Sequence, residues 1–222
     1  MTSPTALLAG ASGLVGRALQ AQLIDEDRAT VHALLRREVA DLPASTRLHR
    51  HVIDFTRPGR LPRADELYIA LGTTIKVAGS RAAFRQVDFD AVVNVARAAR
   101  EAGTERCAVV SALGASPDAK VFYNRVKGEM EAALRALRFE RLVIARPSLL
   151  GGERAALGQP TRVGERLALN LLAPVSGLLP ASVRPVEASV VARAMRIALR
   201  TEGLATQVLE SAALQSLGKP KP

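Results

Sequence analysis

Residues 5–16 read Thr5-Ala6-Leu7-Leu8-Ala9-Gly10-Ala11-Ser12-Gly13-Leu14-Val15-Gly16. A short apolar run closed by a glycine predicts a buried strand, and the apolar-periodic residues from Leu14 to Ile24 predict a helix. Between them lies a G-x-x-G-x-x-G turn. Glycines there permit a tight turn, let the backbone approach a pyrophosphate, and let the helix pack closely on the strand, while the helix N-terminus aims free N–H groups and positive dipole at phosphate. The spacing is unspecific by itself; its place between strand and helix makes Gly10, Ala11, Ser12, Gly13, Leu14, Val15 and Gly16 candidate phosphate-binding residues. The run from Thr5 to Ala11 lacks the basic residues that open a secretory leader, so it reads as a first strand.

Working outward, short apolar runs alternate with helical periods, the pattern of a doubly wound parallel α/β sheet. Strands are expected at Thr5–Ala9, Thr30–Leu35, Leu48–Ile53, Leu67–Leu71, Cys107–Ser111 and Leu142–Ala145, with a further short one near Gln207–Leu209. Helices are expected at Arg81–Ala102, Phe122–Leu137 and Val186–Arg200, and a frayed tail from Gly218. Val126, Met130, Leu134 and Leu137 recur at spacings of four, four and three, which buries one stripe against the sheet. The chain of 222 residues is expected to be a single domain over residues 1–222, with residues 151–186 as a lid-like, substrate-side segment. Asn170, Pro174 and Pro180 interrupt the apolar stretch Leu167–Val183, so no membrane span is expected there.

Ligands of such sheets sit beyond the carboxyl ends of the strands. After the second strand the chain reads Leu34-Leu35-Arg36-Arg37, with no acid before Glu38. An acid there would bind a ribose 2′-hydroxyl, whereas guanidinium groups bind a 2′-phosphate, so Arg36 and Arg37 favour NADP(H) over NAD(H); a solvated arginine pair is the other reading. Asp54, after the third strand, fits either an adenine amino group or an ordinary turn.

Ser111 ends the fifth strand, and Tyr123-Asn124-Arg125-Val126-Lys127 follows twelve residues later. Residues four apart share a helix face, so the Tyr123 hydroxyl and Lys127 ammonium can converge. A free phenol is a poor base at neutral pH, and a neighbouring cation stabilises its anion, which makes such a pair a general acid/base. Ser111 can donate to a substrate carbonyl oxygen as charge develops. Taken one at a time, a core-edge Tyr, a solvated Lys and a strand-capping Ser are the simpler readings; their combination with the glycine turn is what points to catalysis.

These motifs resemble the short-chain dehydrogenase/reductase family. The G-x-x-G-x-x-G spacing and Arg146-Pro147-Ser148-Leu149-Leu150-Gly151 look like its extended and atypical branch, which includes nucleotide-sugar epimerases. Leu71-Gly72-Thr73-Thr74, Val87-Asp88-Phe89-Asp90, Ser111-Ala112-Leu113-Gly114-Ala115 and Val126-Lys127-Gly128-Glu129 resemble the atypical subgroup of the human Tat-interacting metastasis suppressor and bacterial relatives. The resemblance implies a Rossmann domain binding NADP(H), with Leu71, Gly72, Thr73 and Pro147 beside the cofactor. It makes Tyr123 the proton donor or acceptor, Lys127 the holder of the nicotinamide ribose and Ser111 the carbonyl-orienting group. The expected activity is an NADPH-dependent oxidoreductase of small carbonyl or alcohol substrates. A regulatory NADPH-binding module and an epimerase- or dehydratase-like activity are the alternatives. Where much of the family carries an Asn early in the fourth helix this chain has Asp88, which bears on the proton relay; Asn94 reads as structural. About 70 residues follow Gly151, which disfavours a large nucleotide-sugar substrate; Arg154, Arg162 and Arg166 read as solvated charges or as pocket residues that suit an anionic ligand.

Composition constrains the remaining classes. Apolar residues make up 48% and charged residues 23%, a globular balance. The 31 basic against 21 acidic residues give +10, and 26 of the 31 are arginines. Arg47, Arg50, Arg57, Arg60 and Arg63 against Asp54 would be the ground for nucleic acid, but with only Phe55 to stack on, none is expected. His49 and His51 share a strand face without a third ligand nearby in sequence, so no metal is expected. A single cysteine, Cys107, suggests a reducing, cytoplasmic setting. The expected partner is a small-molecule substrate, on a monomer or homodimer.

Overall fold

Strands covered by helices on both faces read as unbroken apolar runs, and they pair in parallel because each crossover must carry a helix. The computed structural model describes residues 4–151 and 184–219. Its main strands are β1 (Thr5–Ala9), β2 (Thr30–Leu35), β3 (Leu48–Val52), β4 (Glu66–Ile69), β5 (Arg106–Val110) and β6 (Arg141–Arg146). A short pair follows, β7 (Leu150–Gly151) with β8 (Val186–Glu187), and then β9 (Thr206–Glu210). The large sheet has the order β3-β2-β1-β4-β5-β6-β9, with every pairing parallel. The expected doubly wound Rossmann architecture is therefore the observed one. All four residues of β4 are buried, whereas β3, at the edge, is largely uncovered.

Helices α1 (Leu14–Ala21), α2 (Ile75–Ala78), α3 (Arg81–Arg85), α4 (Val92–Glu101), α5 (Phe122–Ala136), α6 (Ala188–Arg200) and α7 (Ser211–Gly218) flank the sheet. Leu8, Ala33, Tyr68, Ala108 and Val143 face one core with α1, α6 and α7, while Leu7, Leu34, Leu67, Val109 and Ile144 face the other with α4 and α5. Val126, Met130 and Leu134 form the anticipated stripe, with Leu137 packed at its margin.

Several boundaries differ from the sequence reading. The expected helix over 81–102 is interrupted by a π-helical turn, Gln86–Ala91, and α1 likewise runs into one at Gln22–Glu26. Val186 begins strand β8, because its backbone pairs with β7, and α6 starts two residues later. Helix α7 was not anticipated: it is eight residues long and its apolar anchoring comes chiefly from Leu214, with Leu217 only partly buried. The lid-like reading of 151–186 falls mostly outside the described residues, as do Arg154, Arg162 and Arg166.

The glycine turn is fixed by close approach. A Cβ on Gly16 would stand 1.9 Å from the Gly10 carbonyl oxygen, and one on Gly10, whose φ is +92°, would stand 2.5 Å from the Ala70 carbonyl oxygen. Only glycine lets α1 lie this near β1 and lets β1 lie this near the end of β4. At the other end of the sheet, buried charge fastens α6. Arg200 donates Nε and Nη2 to the two oxygens of Glu66, both at 2.7 Å, and Tyr68 donates its hydroxyl to the same carboxylate at 2.9 Å. Arg196 meets Asp27, Glu26 and Gln22 at the π turn after α1.

Removing one partner of a buried pair leaves the other charge without compensation. Arg200→Ala should therefore destabilise the fold by about 3 kcal/mol, and Tyr68→Phe by only about 1 kcal/mol. Urea unfolding of the two variants gives the comparison, and equal losses would mean that the ion pair is not what secures α6.

Candidate active site

The crevice lies where the sheet order reverses, beyond the carboxyl ends of β1 and β4. On the β1 side, Gly13 caps α1 and brings no side-chain hydrogen bond of its own to the first N–H groups of that helix. Gly10 and Gly16 are required there by neighbouring backbone, and Gly13 leaves the position before α1 without a side chain. Arg36 and Arg37 follow β2 on the exposed surface. The loop after them is pinned: Arg17 donates from α1 to the Ser12 and Asp41 carbonyls, and Arg50 to the Val39 and Leu42 carbonyls. Asp54 is exposed and accepts the Thr56 N–H and hydroxyl at 2.8 Å, the arrangement of a turn acid. The Thr56 backbone hydrogen bond is the main reason its pKa is lowered.

On the β4 side, Leu71-Gly72-Thr73 leads away from the strand and covers a buried ion pair. Lys127 Nζ stands 2.8 Å from Asp88 Oδ1, with the two side chains 3% and 1% exposed. Asp88 Oδ2 accepts the Thr73 N–H at 2.8 Å, and a Cβ on Gly72 would be 3.4 Å from Asp88 Oδ1. Asp88 sits in the π-helical turn, a distortion that often marks functional sites because it re-aims side chains. Burial pushes the Lys127 ammonium down, but Asp88, Tyr123 and Glu131 outweigh that and hold its pKa raised. Tyr123 is half-buried in the first turn of α5, its ring 5.4 Å from that of Phe84. Asn124 donates to the Leu113 and Gly114 carbonyls and ties that turn to the β5 loop.

Tyr123, Lys127 and the Gly72 loop thus come together. Ser111 is held differently: 4% exposed, its Oγ donates to Glu131 Oε1 at 2.6 Å. Glu131 also accepts from Arg146 Nε and Nη2 at 2.9 and 2.7 Å, and the Pro147 carbonyl accepts from the Leu113 N–H. Glu131 stands outside every motif of the sequence, although it repeats the four-residue step from Tyr123 through Lys127; Arg146 opens the run Arg146-Pro147-Ser148 without a role assigned to it. Asn94 is structural as expected, donating to the Phe55 and Thr56 carbonyls.

Two other features lie apart. An open groove of about 1380 Å³ shares no residue with these motifs; Arg57, Arg60 and Arg63 line it with Arg97 from α4, while Arg47 and Arg50 are engaged elsewhere with backbone carbonyls. His32 supplies the third imidazole that the sequence order hid, stacked 5.2 Å from His49 and 2.9 Å from His51 between ring nitrogens. No group of three ligand-type residues among the described ones is arranged to hold a metal ion. No helix among them is long and apolar enough to cross a membrane.

Comparison with known proteins agrees with this geometry. The sequence model of a family described as NAD(P)H-binding matches residues 10–153. Protein HTATIP2 of Rattus norvegicus is 31% identical over 99% of this chain and 91% of its own length. The mitochondrial protein FMP52 of Eremothecium gossypii is 39% identical over 67% of each chain. Among solved structures, MoeE5 in complex with UDP-glucose and NAD superposes with a TM-score of 0.70 at 17% identity, covering 92% of this chain and 75% of that one, which is a likeness of fold. The FMP52 relatives, named as mitochondrial proteins, overturn the cytoplasmic expectation. That expectation rested on Cys107, which is fully buried in β5, where burial pushes the thiol pKa up; its state reflects packing rather than compartment.

The ion pair yields a pH test. A raised ammonium pKa contributes stability that is full below the unfolded value near 10.4 and is lost as pH rises through the folded value. Asp88→Asn should cost about 3–5 kcal/mol at neutral pH. In chemical unfolding the gap between the two proteins should narrow above about pH 10; a gap that stays constant would show that the charge on Lys127 is not its source.

Proposed function

We propose that this chain, which belongs to the NAD(P)H-binding family and is an atypical short-chain dehydrogenase/reductase-like Rossmann protein, is an NADP(H)-dependent oxidoreductase of small carbonyl or alcohol substrates. The observation that carries the reading is the buried Asp88–Lys127 pair set one helical turn from Tyr123 and roofed by Gly72. Gly10 to Gly16 would hold the pyrophosphate, with Arg36 and Arg37 on a 2′-phosphate and Asp54 on the adenine side. Leu71, Gly72, Thr73 and Pro147 would flank the nicotinamide half, and Lys127 would bind its ribose. When bound, the nicotinamide supplies or takes up a hydride.

The chain's own residues then handle the proton. Asp88 keeps Lys127 cationic and in place, and Lys127 steadies the Tyr123 oxygen as its proton leaves or returns. In reduction, Tyr123 Oη gives its proton to the substrate oxygen; in oxidation it takes that proton back. Thr73, through its backbone N–H on Asp88, locks the loop over the pair and keeps water from it. A second reading, a cofactor-binding module with little turnover, draws on one observation: the Ser111 hydroxyl is already spent on Glu131.

A fluorescence titration with NADPH and NADH, followed by a carbonyl screen, tests the proposal. Arg36→Ala with Arg37→Ala should weaken NADPH binding about 10- to 100-fold and leave NADH nearly unchanged. Tyr123→Phe should retain cofactor binding and lower kcat by about 100-fold or more. Cofactor binding without turnover of any carbonyl or alcohol would favour the module, and equal affinity for both cofactors would refute the assignment of the arginine pair.

A further inference from the structure

Glu131 lies four residues after Lys127 and eight after Tyr123 along one side of α5. Its carboxylate is 1% exposed, so its charge is compensated by protein donors. Oε1 accepts from Ser111 Oγ at 2.6 Å, beyond the end of β5, and from Arg146 Nε at 2.9 Å, at the end of β6. Oε2 accepts from Arg146 Nη2 at 2.7 Å and from Arg135 Nη2 at 3.3 Å, and Arg146 continues to Glu210 at 3.0 Å. The hydrogen bond from Arg146 to Glu131 is the chief reason that guanidinium pKa is raised.

We propose that Glu131 is a positioning residue that fixes the rotation of α5 about its axis, and that Ser111 acts on the reaction through Glu131 rather than by touching substrate. The inference rests on the proton-transfer reading of Tyr123. A hydroxyl has a single hydrogen. Every other partner of Glu131 is an N–H donor, so at 2.6 Å the Ser111 hydrogen must lie on the line to the carboxylate, and none is left for a substrate carbonyl. Apart from the Asn124 hydrogen bonds to the β5 loop and the Lys127–Asp88 pair, the remaining contacts of α5 with the sheet, such as Met130 and Leu134, are apolar and non-directional. They resist separation but yield to rotation. A rotation of about 20° displaces a side-chain tip at a radius of roughly 6 Å by about 2 Å, and a misplacement near 1 Å costs about 100-fold in rate. The fork of Arg146 and the short bond of Ser111 hold Glu131 from two different strands, and so define the angle at which Tyr123 and Lys127 face the crevice.

A double-mutant cycle of Ser111→Ala and Glu131→Gln tests this, using whichever ketone the screen finds, with thermal melts and NADPH titration as controls on folding. Each single change should lower kcat by about tenfold with NADPH affinity nearly constant, and the double variant should be no slower than Glu131→Gln alone. Additive losses, near 100-fold in the double variant, would mean that Ser111 contacts substrate independently and would overturn the proposal.

A second measurement needs no turnover. The protein has two tyrosines and no tryptophan, and Tyr68 is fully buried on the face of the sheet away from α5. The near-ultraviolet circular dichroism lost in Tyr123→Phe is therefore the signal of Tyr123 in its surroundings. Ser111→Ala, Glu131→Gln and the double variant should all diminish that signal to a similar extent, and spectra identical to that of the unchanged protein would overturn the proposal. A protein inactive on every substrate would defeat the functional reading while leaving these spectra to decide the role of Glu131.

Discussion

The backbone of Gly16 meets the backbone of Gly10, and Gly10 in turn meets that of Ala70, each at a distance that excludes a side chain. These contacts set how steeply α1 leaves β1 and how closely the β1 and β4 ends approach before they part toward opposite sides of the sheet. The crevice exists because they part, and a helix N-terminus points into it because α1 cannot stand further off. Arg17 then carries the same placement outward, holding the loop after β2 against the glycine turn.

The chain uses one device twice. At the amino end of β4, Glu66 is forked by Arg200; beyond the carboxyl ends of β5 and β6, Glu131 is forked by Arg146. Each pair fastens a helix with a direction that apolar packing lacks. Such pairs contribute little net stability over an apolar filling of the same space, but they select one arrangement among several. The first secures the helix layer that backs the sheet, and the second the helix that carries the reactive side chains. Arginines paired in this way add nothing to the net charge, so the surplus of +10 lies with others, Arg57, Arg60, Arg63 and Arg97 of the open groove among them.

What could be read in advance follows from how local each cause is. The glycine turn was legible because tight approach has a single solution in residue type, and the α5 stripe because 3.6-residue periodicity belongs to the helix itself. Tyr123 and Lys127 were legible for the same reason, being one turn apart. The partners of Asp88, Ser111 and Glu131 come from other elements, so composition offered only a surplus of arginines with no indication of which would be buried. His32 was hidden likewise: it lies 17 residues before His49, and only the register of β2 on β3 sets them side by side. The π turns leave no periodic mark of their own, and β7 and β8 are two residues each.

The strand order has a consequence for how the molecule is made. Starting from β1, the chain adds β2 and then β3 on one side, returns to the free flank of β1 with β4, and from there adds β5, β6 and β9 successively outward. No strand has to be inserted between two that are already paired. During synthesis each new strand finds an exposed edge waiting, and the growing sheet needs no rearrangement to accept it. Six strands are in place by Arg146, before residues 152–183 are added, so the length of that stretch can vary without disturbing assembly of the first six strands. Of the large sheet only β9, which pairs with β6 across some 60 residues, must wait for it, as β8 must before it can pair with β7.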